Sequence, residues 1–281
     1  MSQRTRCIVA LAAVLLLHRP AGAQNAQAQS GEAKTYVGFD QNVYPGDAQL
    51  QLLHKTLAYV GYWLNNPPGE HANQWKGKRA ILEQDGFGFL ILFNGPLDAE
   101  FRHLDPVAKG RSDAAKAIAA ATAEGFPPHA IIFLDLEEGG RMLPRTAKYV
   151  AAWVDALRHS SYRPGAYCAG IETEDDPGVM ISTADDIHNQ FPDVALWLAN
   201  DQCPPAPGCV IAPPSLSISL SGRPDAIVWQ YSQSPRRPEL TRHCAATYAR
   251  DGNCYAPGSP HGDRYALDFD LSTSPDPSAG R

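Results

Sequence analysis

The chain has 281 residues, with 24 Lys or Arg and 30 Asp or Glu, so its formal net charge is −6. This length predicts one large domain or two small ones. An acidic chain is a poor candidate for binding nucleic acid, because neutralising phosphates requires clustered Lys and Arg. We therefore expect no nucleic-acid partner, and we expect a monomer.

The first 23 residues, MSQRTRCIVALAAVLLLHRPAGA, have the three parts of a secretory signal peptide. Arg4 and Arg6 form a basic start, residues 7–17 form an apolar run too short to span a bilayer, and AGA is a small-residue cleavage site. We expect cleavage after about Ala23, a secreted or periplasmic protein without stable membrane insertion, and a flexible mature N-terminus over 24–34. Cleavage would leave 21 basic and 30 acidic residues, for a formal charge of −9.

Five cysteines follow the predicted signal peptide. Cys203 and Cys209 bracket a Pro-rich segment, and Cys244 and Cys254 bracket a second short segment, so we expect two local disulfides in an oxidising compartment. Cys168, at the end of an apolar run, is then expected to be a buried, unreactive thiol. The sequence has no CxxC or HExxH motif and its histidines are scattered, so it supports neither a metal site nor a cofactor.

Short apolar runs alternate along the chain with helical patterns. The runs predict strands, and the patterns predict helices with recognisable ends, such as the stop at Gly125. The predicted strands are 35–40, 58–64, 87–93, 130–135, 163–170, 194–200, 225–232 and 264–272, and the predicted helices are 45–56, 74–86, 112–128, 144–160 and 183–191.

Eight strands, mostly separated by helices, predict an α/β fold, a TIM-like (β/α)8 barrel over residues 35–272 with irregular last βα units. The continuous apolar character of the strands indicates parallel strands that are buried on both faces. A doubly wound open sheet is the alternative fold, but no glycine-rich phosphate loop favours it. Residues 273–281 are predicted to form a disordered tail.

Carboxylates mark three of the predicted strands. Asp40 closes the first, Asp135 and Glu137 close the fourth, and Asp268 and Asp270 lie in the eighth. The carboxyl ends of barrel strands carry the active site, and strand residues two apart share a face. Converging carboxylates raise one another's pKa, so one acid can hold its proton beside an ionised partner. Cleavage of a glycosidic bond requires this pair of states.

The other strand ends carry aromatic and amide groups that suit sugar rings and their hydroxyls. The residues predicted to bind substrate are Tyr62, Asn65, Phe93, Tyr167, Trp197, Trp229, Gln230, Tyr231 and Asp270. Glu138 is expected to point away from Glu137, and acids such as Asp98, Asp113 and Asp186 are expected to be caps or solvated surface groups. Ser112 is expected to cap a helix, because GRSDA departs from the GxSxG nucleophile motif.

Four of these stretches resemble a known family. GFDQNVYPG, FLDLEEGG, VWQYSQ and YALDFDLS are similar to the pattern of the glycoside hydrolase-like domain of unknown function 1906, a relative of the family-25 glycoside hydrolases, the Chalaropsis-type lysozymes. The resemblance covers about residues 35–272. It implies that Glu137 is the general acid, that Asp135 stabilises the reacting centre, and that Asp40 and Asp268 line the sugar subsite. FDQNVYPG, and Glu138 with the two glycines after it, depart from the lysozyme pattern.

The sequence therefore predicts a secreted glycoside hydrolase-like protein that acts on cell-wall polysaccharide, with peptidoglycan-type glycan strands as its substrate. The alternative is a barrel that binds glycan or another cell-wall ligand without cutting it. A third class, a phosphodiesterase on the same fold, would need a metal or a histidine pair at the strand ends. No predicted strand ends in His.

Overall fold

The computed structural model describes residues 34–200, 217–232 and 267–281. The strands are β1 (Tyr36–Asp40), β2 (Tyr59–Trp63), β3 (Gly88–Asn94), β4 (Ile131–Asp135), β5 (Arg163–Ala169), β6 (Thr173–Asp176), β7 (Val179–Ile181), β8 (Ala195–Ala199), β9 (Val228–Ser232) and β10 (Asp268–Ser272). The helices are α1 (Asp47–Leu53), α2 (Arg79–Gln84), α3 (Pro106–Glu124), α4 (Pro144–Arg158) and α5 (Thr183–Gln190), with 3₁₀ helices at Asp98–His103 and Ile218–Ser221.

Eight of these strands close into a barrel in the order β1, β10, β9, β8, β5, β4, β3, β2, so the predicted α/β barrel is confirmed. β6 and β7 form a separate antiparallel hairpin after β5. The expectation of parallel strands throughout is wrong for β10, which runs antiparallel to both β1 and β9. An apolar run shows that a strand is buried, but it does not fix the direction of that strand.

The reversed direction of β10 decides which of its acids reaches the mouth of the barrel, defined here as the end where the parallel strands terminate. Asp268 is the first residue of β10 and lies opposite Asp40, the last residue of β1. Asp270 lies opposite Gly38, deeper in the barrel. The strand therefore begins, rather than ends, at the mouth.

The structure corrects the expectations that Ser112 caps a helix and that Asp98, Asp113 and Asp186 are caps or solvated surface groups. α3 begins at Pro106, where Asp105 accepts hydrogen bonds from two backbone N–H groups, so Ser112 lies inside the helix and is not its cap. Asp113, also inside α3, is buried and pairs with two lysines and the Tyr149 hydroxyl. An Asp followed by Pro is a stronger helix start than the later Ser-Asp pair.

Asp98 and Asp186 are likewise buried rather than solvated. Asp98 accepts from the Arg145 guanidinium at 2.6 Å and from the Thr146 hydroxyl at 3.3 Å. Asp186 accepts from the backbone N–H of Met142 at 3.0 Å. Partners distant in sequence offset the desolvation of these carboxylates, and no local sequence pattern shows them.

The C-terminal segment 273–281 is folded, so the predicted disordered tail is wrong. Asp276 accepts from the backbone N–H of Phe89, and the fully buried Ser278 accepts from that of Ile91, both at 2.9 Å. Ile131 donates its N–H to the Ser278 carbonyl at 2.8 Å. The tail thus supplies partners for backbone groups at the start of β3 and β4, which burial would otherwise leave unpaired.

Several expectations fall on residues that the structure does not describe. Cys203, Cys209, Cys244 and Cys254, the segment 1–23 and nearly all of 24–34 lie outside the described ranges. Cys168 is described, and it is buried as a free thiol whose pKa is raised by burial to about 12, as expected of an unreactive cysteine. Within the described ranges, no helix has the length and apolar character needed to cross a membrane.

We expect Asp276→Ala to lower the free energy of unfolding by about 1–3 kcal/mol, because it leaves the N–H groups of Phe89, Gly280 and Arg281 without their acceptor. Urea unfolding measures the change. Asp155→Ala is the control, since the Asp155 side chain is 61% exposed and its loss should change stability by less than about 0.5 kcal/mol. Equal stability of the two variants would contradict a structural role for the tail.

Candidate active site

The four predicted catalytic acids come together at the mouth of the barrel. Asp40 and Asp135 end β1 and β4 and are 6% and 2% exposed. Asp268 is partly buried and Glu137 is exposed. Burial raises the pKa of the Tyr167 hydroxyl well above its usual range, and the negative charges of all four acids raise it further. Tyr167 on β5 is therefore a common neighbour of the group.

Asp40 is held by a chain of hydrogen bonds across the barrel interior. The Tyr167 hydroxyl donates to Gln230 Oε1 at 2.7 Å, and Gln230 Nε2 donates to Asp40 Oδ2 at 2.7 Å. Burial raises the pKa of Asp40 to about 7, an effect that the Gln230 hydrogen bond opposes and the charge of Glu137 increases. Asp40 thus titrates near neutral pH.

Asp270 is predicted to contact a sugar, but in the structure it lies deeper in the barrel and supports Asp40. It is fully buried, and Trp197 Nε1 donates to its Oδ1 at 2.9 Å. If both Asp40 and Asp270 were ionised, no hydrogen would lie between them. Asp270 Oδ2 would then have no donor among the described residues. Burial and the charges of Asp40 and Asp268 raise the pKa of Asp270 well above its usual range. A hydrogen bond donated by protonated Asp270 to Asp40 raises the pKa of Asp270 and lowers that of Asp40.

A glycine on β2 makes room for Asp40. A Cβ atom on Gly61 would lie 2.5 Å from the Cβ of Asp40 and 3.1 Å from its Cα. A side chain at position 61 would therefore push the β1 carboxylate out of place. The sequence signal was a lone glycine inside an apolar strand, YVGYW, which often marks a close approach of another part of the chain.

The carboxyl group of Asp135 is buried and has no hydrogen-bond partner among the described residues. Neither of its carboxyl oxygens has a hydrogen bond within the part of the chain that the structure describes. Its pKa is raised well above the usual range, first by burial and then by the charges of Glu137 and Asp40. A buried carboxyl group without partners is costly unless it is neutral or meets a ligand. Asp135 is therefore the group at the mouth that most needs a polar ligand.

Glu137 and Glu138 directly follow the end of β4, and both are exposed. Glu137 follows Asp135 by two residues and is exposed, yet nearby protein atoms partly desolvate its carboxyl group and raise its pKa. Glu138 Oε2 accepts the backbone N–H of Asp98 at 2.9 Å. Gly140 then turns with φ +78°, and a Cβ atom there would lie 2.5 Å from Thr173 Oγ1. Gly140 thus allows the β6–β7 hairpin to approach this loop.

Of the predicted binding residues, Tyr167, Trp197 and Gln230 lie on the inner face of the barrel. The rings of Tyr167 and Trp197 meet edge to face with centroids 4.8 Å apart. Both contact the acid cluster through hydrogen bonds, Tyr167 by way of Gln230 and Trp197 directly to Asp270. These three residues position carboxyl groups, and they are at most 9% exposed.

Four other predicted binding residues face away from the barrel interior. Tyr62 packs against Trp75 and Phe126, Phe93 against Trp153, and Tyr231 stacks with Phe269, while Trp229 donates to the Asn200 carbonyl. All four are buried. They neighbour inward-facing residues such as Gly61 and Gln230, so alternation turns them outward and the prediction for them is wrong.

The remaining predicted binding residue, Asn65, joins two strand ends. Its Nδ2 donates to the Asn94 carbonyl at 3.0 Å, and its Oδ1 accepts the Asn94 N–H at 2.8 Å. The sequence reading missed Trp63, which shares the inward face of Gly61 and donates to the Gln41 carbonyl at 3.1 Å. Counting residues from Gly61 could have identified it.

The site offers carboxyl, amide and aromatic groups. Among residues 34–200, 217–232 and 267–281, no three His, Cys, Asp or Glu side chains are placed to hold a metal ion. Protonated and ionised carboxyl groups side by side can instead exchange a proton with a bound molecule. This chemistry belongs to general acid catalysis.

Sequence comparison places the chain in a family. The profile described as Rv2525c-like, glycoside hydrolase-like domain matches residues 51–203, more than half of the chain. The chain belongs to the Rv2525c-like, glycoside hydrolase-like domain family. The resemblance inferred from the strand-end motifs is thereby confirmed. No curated protein matches the chain in sequence.

Solved structures share the fold of this Rv2525c-like domain. An uncharacterized protein of B. stearothermophilus is 19% identical, with TM-score 0.55 over 84% of this chain and 95% of its own. The Mycobacterium tuberculosis Tat-secreted protein Rv2525c, in complex with L-tartrate, is 13% identical, with TM-score 0.52 over 84% and 94%. These identities show a common fold and nothing more. A family 25 glycosyl hydrolase from Bacillus anthracis is 11% identical, with TM-score 0.49 over 85% and 89%, too weak a similarity for a conclusion.

The raised pKa of Asp40 predicts that the protein loses stability as pH rises. A carboxyl group that binds its proton more tightly in the folded state stabilises the fold. This stabilisation is complete below the unfolded pKa of 3.8 and is lost as pH rises through the folded pKa of about 7. We expect Asp40→Asn to flatten the fall in unfolding free energy over this interval by up to about 1.4 kcal/mol per pH unit. Urea unfolding across the interval measures the slope.

Asp193→Asn is the matched control for that titration. Arg158 holds the pKa of Asp193 below its usual value, so its removal should not flatten the fall. If the Asp40→Asn protein kept the pH slope of the unmodified protein, Asp40 would not carry the raised pKa.

Proposed function

We propose that this chain is an exported glycoside hydrolase that cleaves peptidoglycan-type glycan strands of the cell wall by general acid catalysis. The pair at the end of β4 carries the proposal. Glu137 is exposed at the mouth, and Asp135 beside it is buried, with neither oxygen bonded inside the described ranges. Membership of a glycoside hydrolase-like family supports the reaction class.

Glu137 is the general acid in this proposal, and Asp135 stabilises the sugar carbon that becomes positive. In the free protein burial, and then the charge of Glu137, raises the pKa of Asp135. In this proposal the pair holds one shared proton. A sugar lying over the mouth excludes water from Glu137 and raises its pKa further. The shared proton passes to Glu137 and from it to the glycosidic oxygen as the bond between that oxygen and the sugar carbon breaks. The carboxylate left on Asp135 faces the positive carbon until a water molecule adds to that carbon and returns a proton to the pair.

Asp40 and Asp268 line the sugar subsite in the proposal, opposite each other where β1 meets β10. Asp40 is fixed by Gln230, so it can receive a sugar hydroxyl without reorganising. Export is supported by the signal-like segment 1–23, and the related Rv2525c is a Tat-secreted protein. A cell-wall substrate follows from a glycan-cleaving site on an exported chain.

A barrel that binds glycan without cutting it is the second candidate. The low exposure of Asp135 and Asp40, 2% and 6%, favours it, because a hydrolase needs a second carboxyl group that reaches the sugar. The related Rv2525c holds L-tartrate, a polar hydroxy acid. Binding of glycan strands without released products would favour this candidate.

Glu137→Gln is expected to lower the rate of glycan cleavage by roughly two to four orders of magnitude, because an amide cannot donate the proton. Mass spectrometry of the products from peptidoglycan, chitin and other glycans measures the rate. Glu138→Gln is the matched control, since an amide oxygen can still accept the Asp98 N–H, and it should cleave like the unmodified protein. Equal turnover by the Glu137→Gln protein, or no product from any glycan, would overturn the assignment.

A further inference from the structure

A cavity of about 240 Å³ opens beside Glu137. Leu136, Glu137 and Glu138, which directly follow β4, line it, so the cavity lies beside the end of β4. The loops after β3 and β4 and the starts of α4 and α5 complete its walls. We call this the side cavity, with Leu97, Leu136, Met142 and Leu143 as its apolar wall. Glu137 borders both the mouth and the side cavity.

The apolar wall suits a ligand that carries methyl groups. Leu136 and Met142 are buried, whereas Leu97 and Leu143 are 45% and 52% exposed. Two exposed leucines beside a cavity form an apolar patch that a ligand can cover. The cavity volume equals that of roughly eight water molecules, which is more than an acetamido group would fill.

The charges around the side cavity favour a neutral ligand over an anionic one. Glu137 and Glu138 both line it, and the Arg141 cation in its wall is already paired with Asp175 at 2.7 Å and Asp186 at 3.5 Å. Acids thus outnumber cations, and a free carboxylate would be repelled.

The backbone N–H groups of Arg145 and Thr146 are the first-turn donors of α4 that remain for a carbonyl oxygen, because Pro144 has no N–H and the Ala147 N–H is bonded to the Leu143 carbonyl. This helix begins at Pro144 without a side-chain cap, and Thr146 in its first turn lines the side cavity. The first N–H groups of a helix have no partner within the helix. An amide with neighbouring methyl groups therefore matches the walls, the charge and the donors together.

We propose that the side cavity binds the amide-linked lactyl group by which a peptide stem is attached to the sugar, and that the chain prefers peptide-bearing glycan strands. This inference rests on the proposed function, because a sugar at Glu137 places the lactyl group beside the cavity. The methyl groups of the lactyl unit and of the first amino acid lie against Leu136 and Leu143. When the peptide is removed, the lactyl group becomes a carboxylate that faces Glu137 and Glu138.

The test compares peptidoglycan with the same strands after an amidase has removed the peptides. Leu143→Trp fills the side cavity from its rim, and Leu52→Trp, on α1 and 46% exposed, is the matched control outside it. We expect the unmodified protein and the control to prefer peptide-bearing strands by about tenfold, since burying two methyl groups has this effect. In the Leu143→Trp protein the ratio should fall to near one.

Two readouts keep this inference separate from the hydrolase proposal. Cleavage is followed by mass spectrometry, and binding of both strand types is followed with Glu137→Gln and the double variant Glu137→Gln/Leu143→Trp. If no strand is cleaved but peptide-dependent binding is lost in the double variant, the hydrolase proposal fails and the cavity assignment stands. If Leu143→Trp fails to fold, Leu97→Trp replaces it. This variant fills the cavity from the other rim and should also bring the preference ratio to near one.

Equal treatment of the two strand types by the unmodified protein would overturn the cavity assignment. So would a Leu143→Trp protein that keeps the tenfold preference, or the absence of binding to either strand type. Both strand types carry the same acetamido groups, so binding that depends only on these groups would give a ratio of peptide-bearing to peptide-free strands near one in every variant. That result would also overturn the cavity assignment.

Discussion

Carboxyl groups packed inside the barrel must keep protons, and the rest of the site depends on this constraint. Asp40 and Asp270 stabilise each other only if one of them is neutral, because two carboxylates at hydrogen-bonding distance repel. Gln230 and Trp197 each donate to one member of the pair. Gly61 leaves the space that Asp40 fills. The charge at the mouth is therefore set by buried partners.

Asp135 and Glu137 extend this constraint to the surface. The carboxyl group of Asp135 has no hydrogen-bond partner in the described ranges, and burial favours its protonated form. Without a ligand, burying this group costs less when it carries that proton. Glu137 has solvent on one side and the side cavity on another. One strand end therefore presents a buried acid that needs a polar ligand and an accessible acid that can exchange protons. The folded tail at β3 and β4 supports this strand from its other end.

The sequence located all eight barrel strands, since burial on both faces leaves a long apolar signal. It also located the acids, because Asp40 and Asp135 end such runs. It could not give the direction of β10, which depends on pairing with strands distant in sequence. Tyr62 and Phe93 were placed wrongly because strand ends were considered without the alternation of faces. The tail was misread because its partners lie far along the chain, and the burial of Asp113 depends on contact with another helix, such as its hydrogen bond from Tyr149.

¹³C NMR titration of side-chain carboxyl carbons tests most directly whether the buried carboxyl groups hold their protons more tightly than ordinary Asp side chains. The account predicts one midpoint near the Asp40 pKa of about 7, and midpoints for Asp135 and Asp270 well above the usual range of Asp. Asp40→Asn, Asp135→Asn and Asp270→Asn assign them. Midpoints below about pH 5 for every carboxyl group, the ordinary range for Asp and Glu, would contradict the account.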